Sequence, residues 1–172
     1  MTDQGKTTRR QLLKGAAALS SLGALAALGS PTAAFANNAN EDQGPEGSWL
    51  YTVTITNPDP PFTELGLETY VPGGGYVGID QLSFTPGSLA TPGHGSWKNT
   101  GKRTFLLTFL NLTYDAAGTP QGTSKVRQVA TLCEDGNAYS GSGSFDGYDV
   151  SGAVIFSGTF TITAVRIAVE EP

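Results

Sequence analysis

The stretch from Gly95 to Tyr114 constrains this chain most. Gly95-Ser96-Trp97 runs into a polar turn, Lys98 to Arg103, and a long apolar run from Phe105 to Tyr114 leaves it. Two extended segments joined by a tight turn pair with each other, and each still needs a partner on its other edge. The stretch therefore calls for a sheet. Segments before it pair toward it, and segments after it close behind it.

The flanking segments have the matching period. Trp49, Tyr51, Val53 and Ile55 alternate with Leu50, Thr52, Thr54 and Thr56, the period-two pattern of a strand. Asn57-Pro58-Asp59-Pro60-Pro61 ends it, because proline donates no ladder hydrogen bond. Phe62–Val71 and Tyr76–Ser83 predict the second and third strands around the turn Pro72–Gly75, and Thr85–Gly95 predicts a Pro- and Gly-rich loop. Trp97 opens the fourth strand and Arg103–Tyr114 forms the fifth. After the turn Asp115–Gly122 come Ser124–Cys133, Ala138–Asp146 and Val150–Val169. Asp135-Gly136 supplies the positive φ angles of a hairpin turn between the first two of these. The glycines within 138–146 predict close approach of another backbone, or a bend at a barrel corner.

Eight strands with short connections and no helical period predict an all-β fold, an eight-stranded antiparallel meander β-barrel; a two-sheet β-sandwich is the alternative. Eight strands enclose an interior that either fills with side chains or holds one small ligand. Closure also removes exposed sheet edges.

The first residues read as a targeting segment. A basic start is followed by an apolar run, Gly15 to Leu28, and by Ala34-Phe35-Ala36 at a peptidase site, the three parts of a signal peptide. The apolar run is shorter than the ~20 strongly apolar residues of a membrane span. Thr8-Arg9-Arg10-Gln11-Leu12-Leu13-Lys14 resembles the twin-arginine export signal, with Leu12 in the usual phenylalanine place. The resemblance implies passage through the twin-arginine machinery as a folded protein, cleavage by signal peptidase after Ala36, and a periplasmic or secreted destination. The expected organisation is a signal peptide over 1–36, a flexible polar leader over 37–47, one barrel domain over 48–169, and a tail over 170–172.

Cleavage there leaves six basic against fourteen acidic residues, a net charge of −8. Such a domain repels phosphates, which argues against nucleic acid and anionic membranes as partners. Cys133 is the single cysteine, so no intrachain disulfide forms. Its place at the end of an apolar strand predicts a small buried hydrophobe.

Two short features resemble known barrels. Gly47-x-Trp49 heading the first strand, with Arg166 near the end of the last, resembles the lipocalin or calycin pattern. There the tryptophan closes one end of the barrel and a basic residue packs over its indole, a cation–π contact. The helix that follows the barrel in lipocalins has no counterpart in this sequence. Gly95-x-Trp97-x-x-x-Gly101-x-x-x-Phe105 and Lys125-Val126-Arg127 are similar to segments of short uncharacterised bacterial exported proteins. The architecture also resembles the barrels of allene oxide cyclases and dirigent-type proteins, some of which cyclise reactive ligands.

No catalytic constellation stands out. His94 is the only histidine, in a predicted loop, and the absence of clustered ligands argues against a zinc site. Glu134-Asp135 and Asp146–Asp149 are turn carboxylates of the kind that can hold calcium, but no metal or cofactor is expected. Asn111-Leu112-Thr113 matches a glycosylation acceptor inside a strand. The candidate ligand residues are Tyr51, Tyr76, Trp97, Arg103, Phe105, Phe109, Arg127 and Tyr139, an apolar lining with a few polar groups. The expected function is an exported barrel that binds a small apolar ligand. The alternatives are a cyclase or isomerase of the same architecture, and a structural or cell-surface protein with a filled core. The sequence leaves enzyme and binder undecided.

Overall fold

A computed structural model describes residues 43–85 and 88–171. The signal-peptide reading, with Arg9, Arg10 and the cleavage site after Ala36, lies outside the described residues. Ten strands follow one another: β1 Gly47–Asn57, β2 Phe62–Val71, β3 Gly75–Asp80, β4 Phe84–Thr85, β5 Ser88–Ala90, β6 Gly93–Gly101, β7 Thr104–Tyr114, β8 Pro120–Leu132, β9 Ala138–Asp149 and β10 Val154–Arg166.

Eight of them form a closed antiparallel ring in chain order, β1-β2-β3-β6-β7-β8-β9-β10. The ring closes where β10 pairs with β1, from Trp49↔Arg166 to Asn57↔Thr159. With β7 paired to β8 as well, the circuit of pairings is unbroken, which excludes a sandwich of two separate sheets. The described residues contain no helix.

The segment Thr85–Gly95 departs from the expected loop. It carries the β4–β5 hairpin and the start of β6. β5 pairs with Thr113 and Tyr114 of β7, and β6 takes up the same edge of β7 from Leu110 onward. Between them the Thr91 hydroxyl accepts from Leu112 N–H at 3.1 Å, so the ladder is bridged next to Pro92. Gly93 and Gly95 hide this strand from a propensity reading, yet both are required: a Cβ at Gly95 would stand 2.1 Å from the Thr108 carbonyl oxygen. His94 is correspondingly on a strand, paired with Val77 and Leu110, and its side chain is exposed. The last strand is shorter than expected because Asp149 folds the preceding turn, its Oδ1 accepting from the N–H groups of Ser151 and Ala153.

Cys133 also differs: it is exposed. Leu132 points into the core, so the alternation of β8 turns the next side chain outward. Of the expected leader, Gly44 and Pro45 are buried, and the Pro45 carbonyl accepts the Trp49 indole N–H at 2.7 Å.

One end of the ring is plugged by aromatic side chains. Trp49, Tyr70, Phe105 and Tyr139 are almost wholly buried and meet edge to face, with centroids 5.1 Å apart for Trp49–Tyr139 and 5.3 Å for Tyr70–Phe105. Arg166 caps this plug, its Cζ 4.2 Å from the Trp49 ring centroid. Its Nε donates to the Gly136 carbonyl at 3.0 Å and its Nη1 to the Glu46 carbonyl at 2.5 Å. Beyond the plug the interior is lined by further buried side chains, Val53, Ile55, Phe160 and Ile162 among them, around a cavity.

Candidate functional site

The site is built around Gly66 on β2. Its register partners are Tyr51 on β1 and Asp80 on β3. Glu64 and Glu68 stand two residues to either side of it, on the same inward face. A Cβ at Gly66 would lie 2.1 Å from Tyr51 Cζ, so the tyrosine ring crosses the bare backbone of β2 toward Asp80. Burial first, then the charges of Asp80, Glu68 and Glu64, raise the Tyr51 hydroxyl far above the ordinary phenol range. It stays protonated and acts as a donor.

The carboxylates are held in different ways. Asp80 Oδ1 accepts from Ser83 N–H at 2.9 Å and Ser83 Oγ at 2.8 Å. Glu64 accepts from Leu82 N–H at 2.7 Å. Burial and the nearby Asp80 charge push its carboxyl up to about 7, against the opposing effect of that backbone bond. Glu68 is 3 % exposed and accepts from the hydroxyls of Tyr139 and of Tyr76, the latter at 3.2 Å. Burial pushes it up to about 7 although its tyrosine partners favour the charged form.

Gln128 faces the same space from β8. It is 5 % exposed, and its Nε2 has no hydrogen-bond partner among the described residues. The buried Tyr70 hydroxyl is likewise unpartnered. Burial raises that hydroxyl well above 10, and the nearby Gln128 amide acts the other way, but the two groups form no bond of acceptable geometry.

These groups border a cavity of about 160 Å³ that reaches from the plug toward the opposite mouth of the barrel. Its apolar wall includes Val53, Ile55, Phe109, Val126, Phe160 and Ile162. Among the described residues Glu64, Glu68 and Asp80 are the charged ones that line it, with no Lys, Arg or His.

The structure divides the sequence candidates into three groups. Tyr51, Tyr76 and Phe109 line the cavity. Trp97, Phe105 and Tyr139 are buried but do not line it; Phe105 and Tyr139 belong to the plug, and Tyr139 reaches Glu68 through its hydroxyl. Arg103 and Arg127 stand outside it. Arg103 occupies the β6–β7 turn with φ 62°, 4.0 Å from Glu134. Arg127 points outward from β8 and pairs with Asp146 at 2.7 Å. Among the described residues no three His, Cys, Asp or Glu side chains group as metal ligands. Asp146 is engaged by Arg127 and Ser157 instead. Asn111 of the glycosylation match lines the cavity and donates to the Thr91 carbonyl at 3.0 Å.

The sequence reading missed Glu64, Glu68, Asp80 and Gln128. One signal marks the two glutamates: they share the parity of Gly66 and Tyr70, opposite to Leu65 and Leu67. No protein family, curated protein or solved structure matches the chain.

Proposed function

We propose that this protein is an exported barrel that holds one small, largely apolar ligand in its cavity. The observation that carries this reading is the cavity itself: a space of about 160 Å³, walled mainly by aliphatic and aromatic side chains, above a plug that closes the other end. An apolar cavity of about 150 Å³ admits a molecule the size of benzene, and few polar groups on apolar walls are the usual form of a small-ligand site. A calycin-like arrangement of plug and cavity agrees with the Gly47-x-Trp49 resemblance, and the twin-arginine segment supports a periplasmic or secreted destination. The test is native mass spectrometry of protein purified from its own host, followed by titration with ethylbenzene. A bound small molecule, or ethylbenzene uptake that Ile162→Trp abolishes, is the expected result. An empty protein that takes up neither ethylbenzene nor larger apolar probes overturns the reading.

A barrel isomerase or cyclase is favoured by one observation. Glu68, with a carboxyl near 7, is held by two tyrosine hydroxyls, and a carboxyl poised near the working pH transfers protons efficiently. In that case the ligand recovered from Glu68→Gln protein is an isomer of the one recovered from the wild type. Identical ligands from both leave binding alone.

A further inference from the structure

The polar side of the cavity has a chemistry of its own. Three carboxylates, Glu64, Glu68 and Asp80, face a space lined by no cationic side chain among the described residues. The strands β7 to β10 bring only neutral residues to the lining, Gln128 among them. Tyr51, Tyr76 and Phe109 add aromatic faces beside the carboxylates, and such faces attract cations. Buried carboxylates without a cationic partner are costly. Across the same cavity the Gln128 amide nitrogen is an orphan donor, buried and without an acceptor. It stands near the Tyr70 hydroxyl, which also neighbours Glu68, but no acceptor among the described residues holds it in acceptable geometry, and a ligand oxygen would satisfy it.

We infer that the cavity takes a small aromatic amine whose ring also carries an oxygen, the ammonium lying among Glu64, Asp80 and Glu68 and the oxygen accepting from Gln128. This rests on the reading of the cavity as a ligand site and names its ligand class. The ammonium supplies the missing cation, the ring lies against Phe109 and its apolar neighbours, and the oxygen satisfies the amide. An anion of the same shape is repelled. The ordinary affinity of such a ligand derives from the walls; its selectivity derives from the charged group and the amide, because leaving either unpaired is what a wrong ligand does.

Proton release accompanies this binding. Glu64 and Glu68 are each pushed up to about 7, by burial above all, so both hold protons part of the time at neutral pH. A bound ammonium draws the carboxyls back toward their ordinary range. The other titratable groups facing the site or Glu68 are Tyr51, Tyr70, Tyr76, Tyr139 and Asp80, and the raised phenols stay protonated throughout.

Calorimetric titration of the full-length protein with four probes of one size tests the inference: tyramine, phenethylamine, 2-(4-hydroxyphenyl)ethanol and 4-hydroxyphenylacetate. Tyramine should bind at least tenfold more tightly than the neutral alcohol at pH 8, and the acetate should not bind. Tyramine affinity should rise from pH 6 to pH 8, with heats that depend on the buffer because protons leave. Gln128→Leu should bring tyramine down to the level of phenethylamine without weakening phenethylamine. Equal binding of tyramine and the alcohol, or tyramine affinity that falls as pH rises, overturns the amine. If Gln128→Leu weakens tyramine and phenethylamine alike, the assignment of the oxygen to Gln128 is overturned. Uptake of ethylbenzene without preference for any amine sinks this inference and leaves the ligand-site reading standing. Failure of all four probes sinks this inference, and if the protein also comes empty from its host and takes up neither ethylbenzene nor larger apolar probes, both readings fall.

Discussion

Arg166 and Trp49 are register partners across the seam between the last and first strands, and the guanidinium carbon lies 4.2 Å from the centroid of the indole ring. The contact joins the two strands whose pairing closes the ring. A cation–π contact contributes on the order of 0.5–2 kcal/mol, more when water is excluded, and loss of a buried tryptophan costs about 3–5 kcal/mol. Arg166→Ala should lower the urea midpoint, and Arg166→Lys should recover only part of the loss, because an ammonium neither stacks flat nor reaches two carbonyls as a planar fork does. A double-mutant cycle with Trp49→Ala should show coupling; coupling within error would remove the contact as a determinant of closure.

Stability should rise on mild acidification. Glu68 and Glu64 titrate near 7 in the folded protein, from an ordinary value of 4.5. The folded state thus binds more protons than the unfolded chain between those values, and unfolding free energy falls as pH rises through that window. For Glu68, buried throughout, the full window is worth on the order of 3 kcal/mol. Asp146 and Asp149 act in the opposite sense. Hydrogen bonds, from Ser157 and Arg127 to the first and from Ser151 and Ala153 to the second, hold them below 3.8, so their contribution is lost only in stronger acid. Urea midpoints should therefore be higher at pH 5 than at pH 8, and Glu68→Gln should flatten much of that slope. A midpoint that climbs from pH 5 to 8 contradicts the assignment.

Gly66 should tolerate no side chain while Tyr51 is present. An alanine there meets the Tyr51 ring at 2.1 Å from Cζ and 2.3 Å from the hydroxyl oxygen, an overpacking of the kind that costs about 1–3 kcal/mol. Tyr51→Val, which withdraws the ring, should relieve most of that cost. Thermal melts of the two single variants and the double variant would settle it, and additive losses would mean that the ring does not lie where the packing puts it.

The β6–β7 turn holds Arg103 at φ 62°, and its carbonyl accepts from Leu132 N–H at 2.8 Å. A left-handed conformation costs a non-glycine residue about 1 kcal/mol, part of which glycine returns as unfolded-chain entropy. Arg103→Gly should thus match or exceed the wild type, by up to about 1 kcal/mol, whereas Arg103→Ala should not. A midpoint for Arg103→Gly clearly below that of Arg103→Ala would show that the arginine side chain, rather than the turn, matters at this position.

The strands were legible in the sequence because most keep period two, and ring closure was legible as one of two packings. The hairpin β4–β5 and the start of β6 were not. Their glycines make room for Phe109, whose ring would collide with a Cβ at Gly93, and nothing in a single segment announces a ring arriving from the next strand. The site was hidden for a related reason. On β2 the apolar residues Leu65 and Leu67 face outward, 44 % and 52 % exposed, while Glu64 and Glu68 face inward. Hydrophobicity alone assigns that strand the wrong way round. What reverses it is the parity of Gly66 and Tyr70, and that parity means something only once Tyr51 is known to cross the glycine.

A ring has no outermost strand, so the seam between β10 and β1 is one of eight. Ile167 N–H donates to the Ser48 carbonyl at 2.9 Å across it, which brings the two ends of the barrel segment within reach of a short linker. A circular permutant that joins them and opens the chain at Gly118, in the exposed turn between β7 and β8, keeps every strand neighbour. It should give the same circular dichroism spectrum and a cooperative melt. In such a permutant the plug residues Trp49 and Arg166, more than a hundred positions apart in the natural order, become near neighbours along the chain. Loop-closure entropy then favours early contact between them, and the seam that joins the most distant strands of the natural chain should be among the first to form.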